Sequence, residues 1–394
     1  MAALHAAPLP GGRLDNLGIS EFCEALFSSF ARADQRRWGE LYVRGLLHVD
    51  GRKTIRRIAE LSDGRDPIQS LQQFVNQSPW AWAPVRQELA ALVYRELAPR
   101  AWLVRDVAFA KNGTGSVGVD RQFAPSEGRV LNCQSALAVE VAGELGSVPV
   151  NWRLMLTSKW DEGPLRTKAN VPSGERSQPR RRHLLDAVDE MMGDWRLRPL
   201  PVVAHVHDRT DVAAVVRGLE SRGLAYLLRV PAGTPLRSGA RPNGPQTLAD
   251  LVGLVPEGDR TRLLLGAERR GGCKQDFYTM TALPRSTGFG EPFRDGLPLL
   301  HRRVLHRVGP EPARAEYWVT NLGTSGMHEP LALLRMAGRH ADSAPVLAKR
   351  VGLRHFEGRS FRGWHHHVTL ASAAQAALLL SQALHDRALM RSSA

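Results

Sequence analysis

The sequence predicts an α/β protein with a helical N-terminal region, and three observations predict it. Apolar positions recur at helical spacing through residues 17–100, three strand-like segments follow one another between 101 and 157, and a strand–helix–strand unit comes after them over 201–230. The chain has 394 residues, 43% hydrophobic and 23% charged, which is enough for one large domain or two to three smaller ones with real cores.

The helical region opens with Phe22, Ala25, Leu26 and Phe30, then Leu41, Val43, Leu46 and Leu47, punctuated by Gly45 and Gly51. In TIRRIAELSDGRDPIQSLQQFVNQSPW, residues Ile55, Ile58 and Leu61 share one helical face. A Gly-Arg-Asp-Pro turn then ends that helix, and Ile68, Leu71 and Phe74 begin the next. Two short helices on a tight turn, with Arg56 and Arg57 outward on the first, fit either a DNA-binding helix-turn-helix or an ordinary helical hairpin.

Strand signals start at AWLVRDVAFA (101–110). The Gly-rich turn KNGTGSVGV follows, then CQSALAVEVAG (133–143) and SVPVNWRLMLT (147–157), together an antiparallel meander. After it come a basic loop, GERSQPRRRH, a helix over 183–195, the strand PVVAHV (201–206), a helix over 211–223 and the strand AYLLRV (225–230). The order β-β-β-α-β-α-β is what a ribonuclease-H-like domain requires. Residues 231–328 are rich in Gly, Pro and Arg, with the short apolar segments TRLLLGA, RVLHRVG and AEYWVTN, and are expected to form a β-rich insertion. Helical periodicity returns from 329 and ends in a long apolar helix over 368–389 that completes the domain; residues 1–16 are expected to be a disordered start.

The net charge is +14 with a pI near 10.5. Such an excess favours a polyanionic partner, because neutralising phosphates releases counterions. It is carried by 47 arginines against 6 lysines; guanidinium forks suit phosphates, but a GC-rich genome gives the same ratio. Cys23, Cys133 and Cys273 are sparse, odd in number and without CxxC spacing, which argues against a disulfide framework and a zinc ribbon. No apolar run approaches the ~20 residues of a membrane span, and MAALHAAPLPGGRLDN lacks the basic and apolar regions of a secretion signal, so a cytoplasmic location is expected.

Several phrases coincide with one family. FARADQRRWGELYVRGLL (30–47), SLQQFVNQSPW (70–80), KNGTGSVGVDRQF (111–123), RGLESRGLAYLLRV (217–230) and GLRHFEGRSFRGWHHHVTL (352–370) resemble DDE-superfamily transposases of bacterial insertion sequences, the insertion-sequence-701 type. The resemblance covers about 20–385 and is weakest in the middle third. It implies a helical DNA-holding region, a ribonuclease-H-like catalytic domain with a β-rich insertion, and two aspartates and a glutamate that hold two divalent metal ions for attack on phosphodiesters.

Each of the three ligand positions departs from the family's pattern. The family's D-D-T reads Arg105-Asp106-Val107, which makes Arg105 the first position, with Asp106 the surviving ligand if the pattern is offset by one. The second, V-V-A-D, reads Val202-Val203-Ala204-His205. Counting back eleven residues from Gly352 puts Ala341 at the glutamate. Hard cations need oxygen ligands, so no magnesium site and no resident cofactor is expected. His205 and His207 alternate along a strand end and, with Asp106 or Asp208, could form a transition-metal site or an acid–base pair for a small-molecule substrate; drift after loss of metal is the competing reading.

The remaining candidates concern DNA. Arg56, Arg57, Lys111, Arg121, Arg180, Arg181 and Arg182 are the expected phosphate contacts, the last three on a loop; a solvated charge run is the competing reading. His365, His366 and His367 belong to a phrase shared with the family and read as structural or as DNA-backbone contacts, with a metal motif the competing reading. Trp80, Trp82 and Trp364 read as core anchors. Three functions stay open: a transposase-like protein without strand transfer that binds duplex DNA, an enzyme with new chemistry in the former pocket, and an active transposase whose ligands lie elsewhere. The sequence leaves the oligomeric state open.

Overall fold

Five helices precede the sheet because the apolar residues of this region repeat with a helical period and bury one stripe each. The structure is a computed structural model that describes residues 16–62, 66–236, 247–254, 261–265, 275–281, 303–307, 315–322 and 328–392. The helices are α1 (Asn16–Leu26), α2 (Ala33–His48), α3 (Ile55–Ala59), α4 (Pro67–Asn76) and α5 (Trp82–Leu97). Thr54 caps α3 by accepting from the Arg57 amide at 3.3 Å, and Pro67 opens α4, where its missing N–H costs nothing. The expected disordered start lies outside the described residues except for Asn16, which begins α1. Gly64 and Arg65 of the Gly-Arg-Asp-Pro turn lie outside them too.

Helices α2, α3 and α4 pack on one another, and Gly45 makes the α2–α3 approach feasible. A Cβ at this position would collide with the side chain of the fully buried Ile58. Gly45→Ala is therefore expected to destabilise the protein by about 1–3 kcal/mol, as overpacking does, despite the better helix propensity of alanine. A denaturant midpoint that rises in the variant would show that the two helices are free to separate.

Four strands follow, β1 (Ala101–Ala110), β2 (Val119–Ala124), β3 (Arg129–Ala142) and β4 (Ser147–Met155). The meander thus has one strand more than expected: β2 begins at the last residue of the segment read as a turn. Its alternation is too short and polar to stand out, and it is held by its pairing with β3. Short α6 (Pro164–Lys168) precedes α7 (Arg180–Asp189), which runs on into a π-helical turn at Glu190–Asp194. Then come β5 (Val202–His205), α8 (Val212–Glu220), β6 (Tyr226–Val230) and α9 (Leu248–Leu254).

The sheet runs β2-β3-β1-β5-β6, with β4 also on β3; β1 is antiparallel to β3 and parallel to β5, and β5 is parallel to β6. Within the segment expected to be β-rich, β7 (Thr261–Leu265), β8 (Gln275–Thr281), β9 (Arg303–Arg307) and β10 (Glu316–Thr320) continue that same sheet, because β10 pairs antiparallel with β6.

Two long helices complete the chain, α10 (His328–Arg350) and α11 (Phe361–Ser392). The latter begins seven residues earlier than its apolar run suggested. Its first turns are the three histidines, which are polar by composition yet fully enclosed. Alanines 371, 373, 374, 376 and 377 bring α11 close against α2, α5 and β4. No helix among the described residues is long and apolar enough to cross a membrane.

Candidate functional site

Side chains on β1 alternate between the two faces of the sheet. Ala101 and Leu103 pack with Leu333 and Leu334 of α10, so Arg105 points to that helix. Arg105 Nε donates to Glu140 Oε2 at 3.0 Å, and its Nη2 reaches the carbonyl of Ala337 in α10 at 3.4 Å. Glu140 also accepts from the Ser147 hydroxyl at 2.7 Å and is 7% exposed. The parallel register pairs Val104 with Ala204, so Arg105 and His205 fall side by side one residue on, facing the same way.

The α10 residue against Arg105 is Ala337, one turn before Ala341, and Ala341 itself is exposed. Pro345 removes the N–H that would bond the Ala341 carbonyl. The register hardly matters to the chemistry, because the acids of α10 are Glu329 and Asp342, both exposed, whereas its buried face presents Leu333, Ala337 and His340.

Asp106 leaves β1 on the opposite face, toward α7. Arg180 grips it with both branches of the fork, Nε to Oδ1 at 2.6 Å and Nη2 to Oδ2 at 2.8 Å, and His207 Nε2 lies 2.8 Å from Oδ2. Burial pushes this carboxyl up, but the hydrogen bond from His207 and the Arg180 charge outweigh it and hold it below the usual aspartate range. The His205 and His207 rings meet at 3.9 Å. Burial, then His207 and Arg229, drive the His205 pKa down to about 3, so this imidazole is neutral at pH 7. Asp208 does not join them. It is exposed and accepts from the amide and hydroxyl of Thr210, capping a turn. Among the described residues no three His, Cys, Asp or Glu side chains form a group suited to a metal ion.

The basic run 180–182 is the first turn of α7, not a loop, and none of its guanidiniums is free. Arg180 holds Asp106, Arg181 meets Asp211 at 2.5 Å and Arg182 meets Asp186 at 3.0 Å. The helix forms here because Pro179 precedes it and the fold supplies an acid to each arginine, which composition alone does not reveal. Lys111 is likewise committed, donating to the Phe356 carbonyl at 2.7 Å. Arg56, Arg57 and Arg121 are exposed. Beside them α4 exposes Gln69, Gln72 and Gln73, which the sequence reading passed over because glutamine on an amphipathic helix carries no special signal.

The histidine triplet ties the helical region to α11. His366 stacks on Trp80 at 3.6 Å, His365 on Trp82 at 4.5 Å, and His367 pairs with Tyr42 at 3.0 Å while facing the Leu353 carbonyl at 3.0 Å. Trp80 and Trp364 are buried as core anchors, and Trp82 is half-buried.

This arrangement, an α/β sheet whose adjacent parallel strands β1 and β5 carry the facing residues beneath a long helix, defines the class. Residues 25–265, more than half of the chain, match the family described as DDE superfamily endonuclease, and the chain belongs to that family. The match takes in Arg105, Asp106, His205 and His207 and ends with β7, so α10 and α11 lie beyond it. No curated protein matches the chain. An endonuclease family points to DNA as the class of substrate.

Proposed function

We propose that this protein is a transposase-like member of the family, of the insertion-sequence-701 type, that has lost two-metal strand transfer and works as a DNA-binding or accessory protein. The strand order β4-β3-β1-β5-β6, antiparallel then parallel, supports a ribonuclease-H-like frame. The observation that carries the reading is the capture of the site by arginine. Arg105, at the first ligand position, is paired to Glu140, and the neighbouring Asp106 is chelated by Arg180. Two divalent cations need oxygen ligands around them. The residues present do not fit that pair: a guanidinium, a neutral imidazole and a helix face without acids surround the position, and the one carboxylate on that face, Glu140, is already neutralised by Arg105.

DNA contact is supported by the charge of +14 and by the exposed surface of α3 and α4. Arg56 and Arg57 suit phosphates, whereas Gln69, Gln72 and Gln73 have the amide groups that pair with adenine edges. Duplex binding measured by anisotropy at two salt concentrations tests this. Arg56→Ala with Arg57→Ala should weaken binding several-fold and lower the salt slope by about one to two, one per lost phosphate contact, whereas His205→Ala should leave it nearly unchanged.

A second reading rests on the Asp106–His207 pair beside neutral His205, an acid–base arrangement that could serve a small-molecule substrate. It suits proton transfer better than a transition metal, because the His207 Nε2 already meets Asp106 and Arg180 competes for the same carboxylate. Absence of duplex affinity even at low salt would sink the DNA reading and favour this one.

A further inference from the structure

The connection between α10 and α11, residues 351–360, crosses from the helical region to the β2–β3 hairpin and is tied to both. On one side His355 Nδ1 accepts from the Lys53 amide at 3.0 Å, and Glu357 meets Arg52 at 2.5 Å. On the other, the Phe356 carbonyl accepts from Lys111 Nζ at 2.7 Å and the Arg359 carbonyl from the Val117 amide at 3.0 Å. Arg354 meets Glu127, in the hairpin turn, at 3.3 Å. These contacts hold the connection as a strap across the two parts.

Residues 349–362 carry five Lys and Arg against one acid, Glu357. Arg52 neutralises Glu357 and Arg354 neutralises Glu127, so neither acid serves the remaining cations. Among the described residues no acid pairs with Lys349, Arg350 or Arg359. Lys349 and Arg350 suit the negative end of the α10 dipole, which accounts for their place in the fold. Arg359 has no such account. Its side chain is exposed over the Gly-rich loop, where a Cβ on Gly115 would come 3.8 Å from its Nε, and Gly113 faces open space.

The strap also joins two basic surfaces. Arg350 and Arg57 both act on the buried Lys53, so the strap continues the exposed Arg56–Arg57 surface of α3. Exposed Arg121 on β2 lies at its other end. Like charges gathered in this way repel one another. A line of phosphates relieves that repulsion and releases counterions as it does so. The charges are spread along an open surface rather than enclosed, which suits a polyanion better than a single small ion.

We infer that the strap is a second DNA-backbone surface, on which Arg350 and Arg359 grip phosphates of a duplex held at α3. It lies beyond residue 265, where the family match ends, and it rests on the DNA reading above.

Anisotropy titrations of the full chain with a mixed-sequence duplex of about three helical turns, at two salt concentrations, test this. Arg350→Ala with Arg359→Ala should weaken binding about tenfold and lower the salt slope by about two, one per lost phosphate contact. Arg350→Lys with Arg359→Lys should keep most of the affinity, because a phosphate backbone reads charge. The control, Arg95→Ala with Arg198→Ala, removes as much charge elsewhere and should change little. Arg198 is tied through Tyr94 to Trp102 at the start of β1, about 30 Å from the strap end of that ten-residue strand. If the strap Ala pair binds like the wild type while Arg56→Ala with Arg57→Ala weakens binding, this inference falls and the DNA reading stands. A control as weak as the strap pair would mean that net charge alone is at work, and a Lys pair as weak as the Ala pair that packing is; either overturns it. Polyglutamate held as tightly as the duplex, and lost with the Ala pair, would assign an acidic protein partner instead. A wild type without duplex affinity takes down both readings.

Discussion

Lowering the pH from 7 to 5 is expected to unfold this protein or bring it to the edge of unfolding. Burial drives His183 and His367 to about 4 and His365 well below the usual histidine value, so the native state keeps all three neutral. Each folded pKa is depressed, so each contribution is fully present above the unfolded value near 6.5 and is lost as pH falls toward the folded one. At pH 5, about 1.5 units below the unfolded value, each histidine costs about 2 kcal/mol, and the three together about 6 kcal/mol out of the ~5–15 that a domain has. His366 differs from these three. Both of its ring nitrogens face carbonyls, Val75 at 2.8 Å and Trp80 at 3.0 Å, and two acceptors favour the protonated ring although burial drives its pKa to about 3. Thermal midpoints by circular dichroism from pH 8 to 5 should fall steeply below 6.5, and His183→Gln should flatten the fall. A midpoint constant over this range would show that these rings titrate as if in water.

The second large effect concerns metal. Purified protein with magnesium or manganese is expected to nick supercoiled DNA no faster than buffer. Arg105→Asp combined with His205→Asp should bind manganese at least tenfold more tightly than the wild type, because two carboxylates would then face Glu140, itself freed from its arginine. Manganese titration followed by electron paramagnetic resonance reads this directly. Wild-type nicking that disappears in Asp106→Ala would instead identify Asp106 as a surviving ligand and overturn the reading of the site. That outcome would require Arg180 to release a carboxylate it now holds at 2.6 and 2.8 Å.

The strands β1, β3, β4, β5 and β6 were legible because each is an apolar run bounded by turn residues. The expected strand–helix order emerged from them without any knowledge of contacts. Strand β2 was not legible, since Val119–Ala124 alternates over six residues only and owes its place to β3. Arg105 and His205 stand in the sequence where the family resemblance places carboxylates. A residue count along the chain, which gives Ala341, is blind to where a helix crosses a sheet, and the α10 residue that meets Arg105 is Ala337.

Local sequence therefore determined the elements and the α/β class, because periodicity and composition are short-range properties that survive without partners. Tertiary structure alone decided which charges are free. Arg180, Arg181 and Arg182 read as an open basic run, yet each meets a carboxylate, Asp106 from 74 residues away and Asp211 from 30, with Asp186 one turn along the same helix. The three histidines are adjacent in the sequence, yet the packing of α11 sends them to three different sets of partners. A buried charge is set by the desolvation and the neighbours that folding brings to it, and no window on the sequence contains those neighbours.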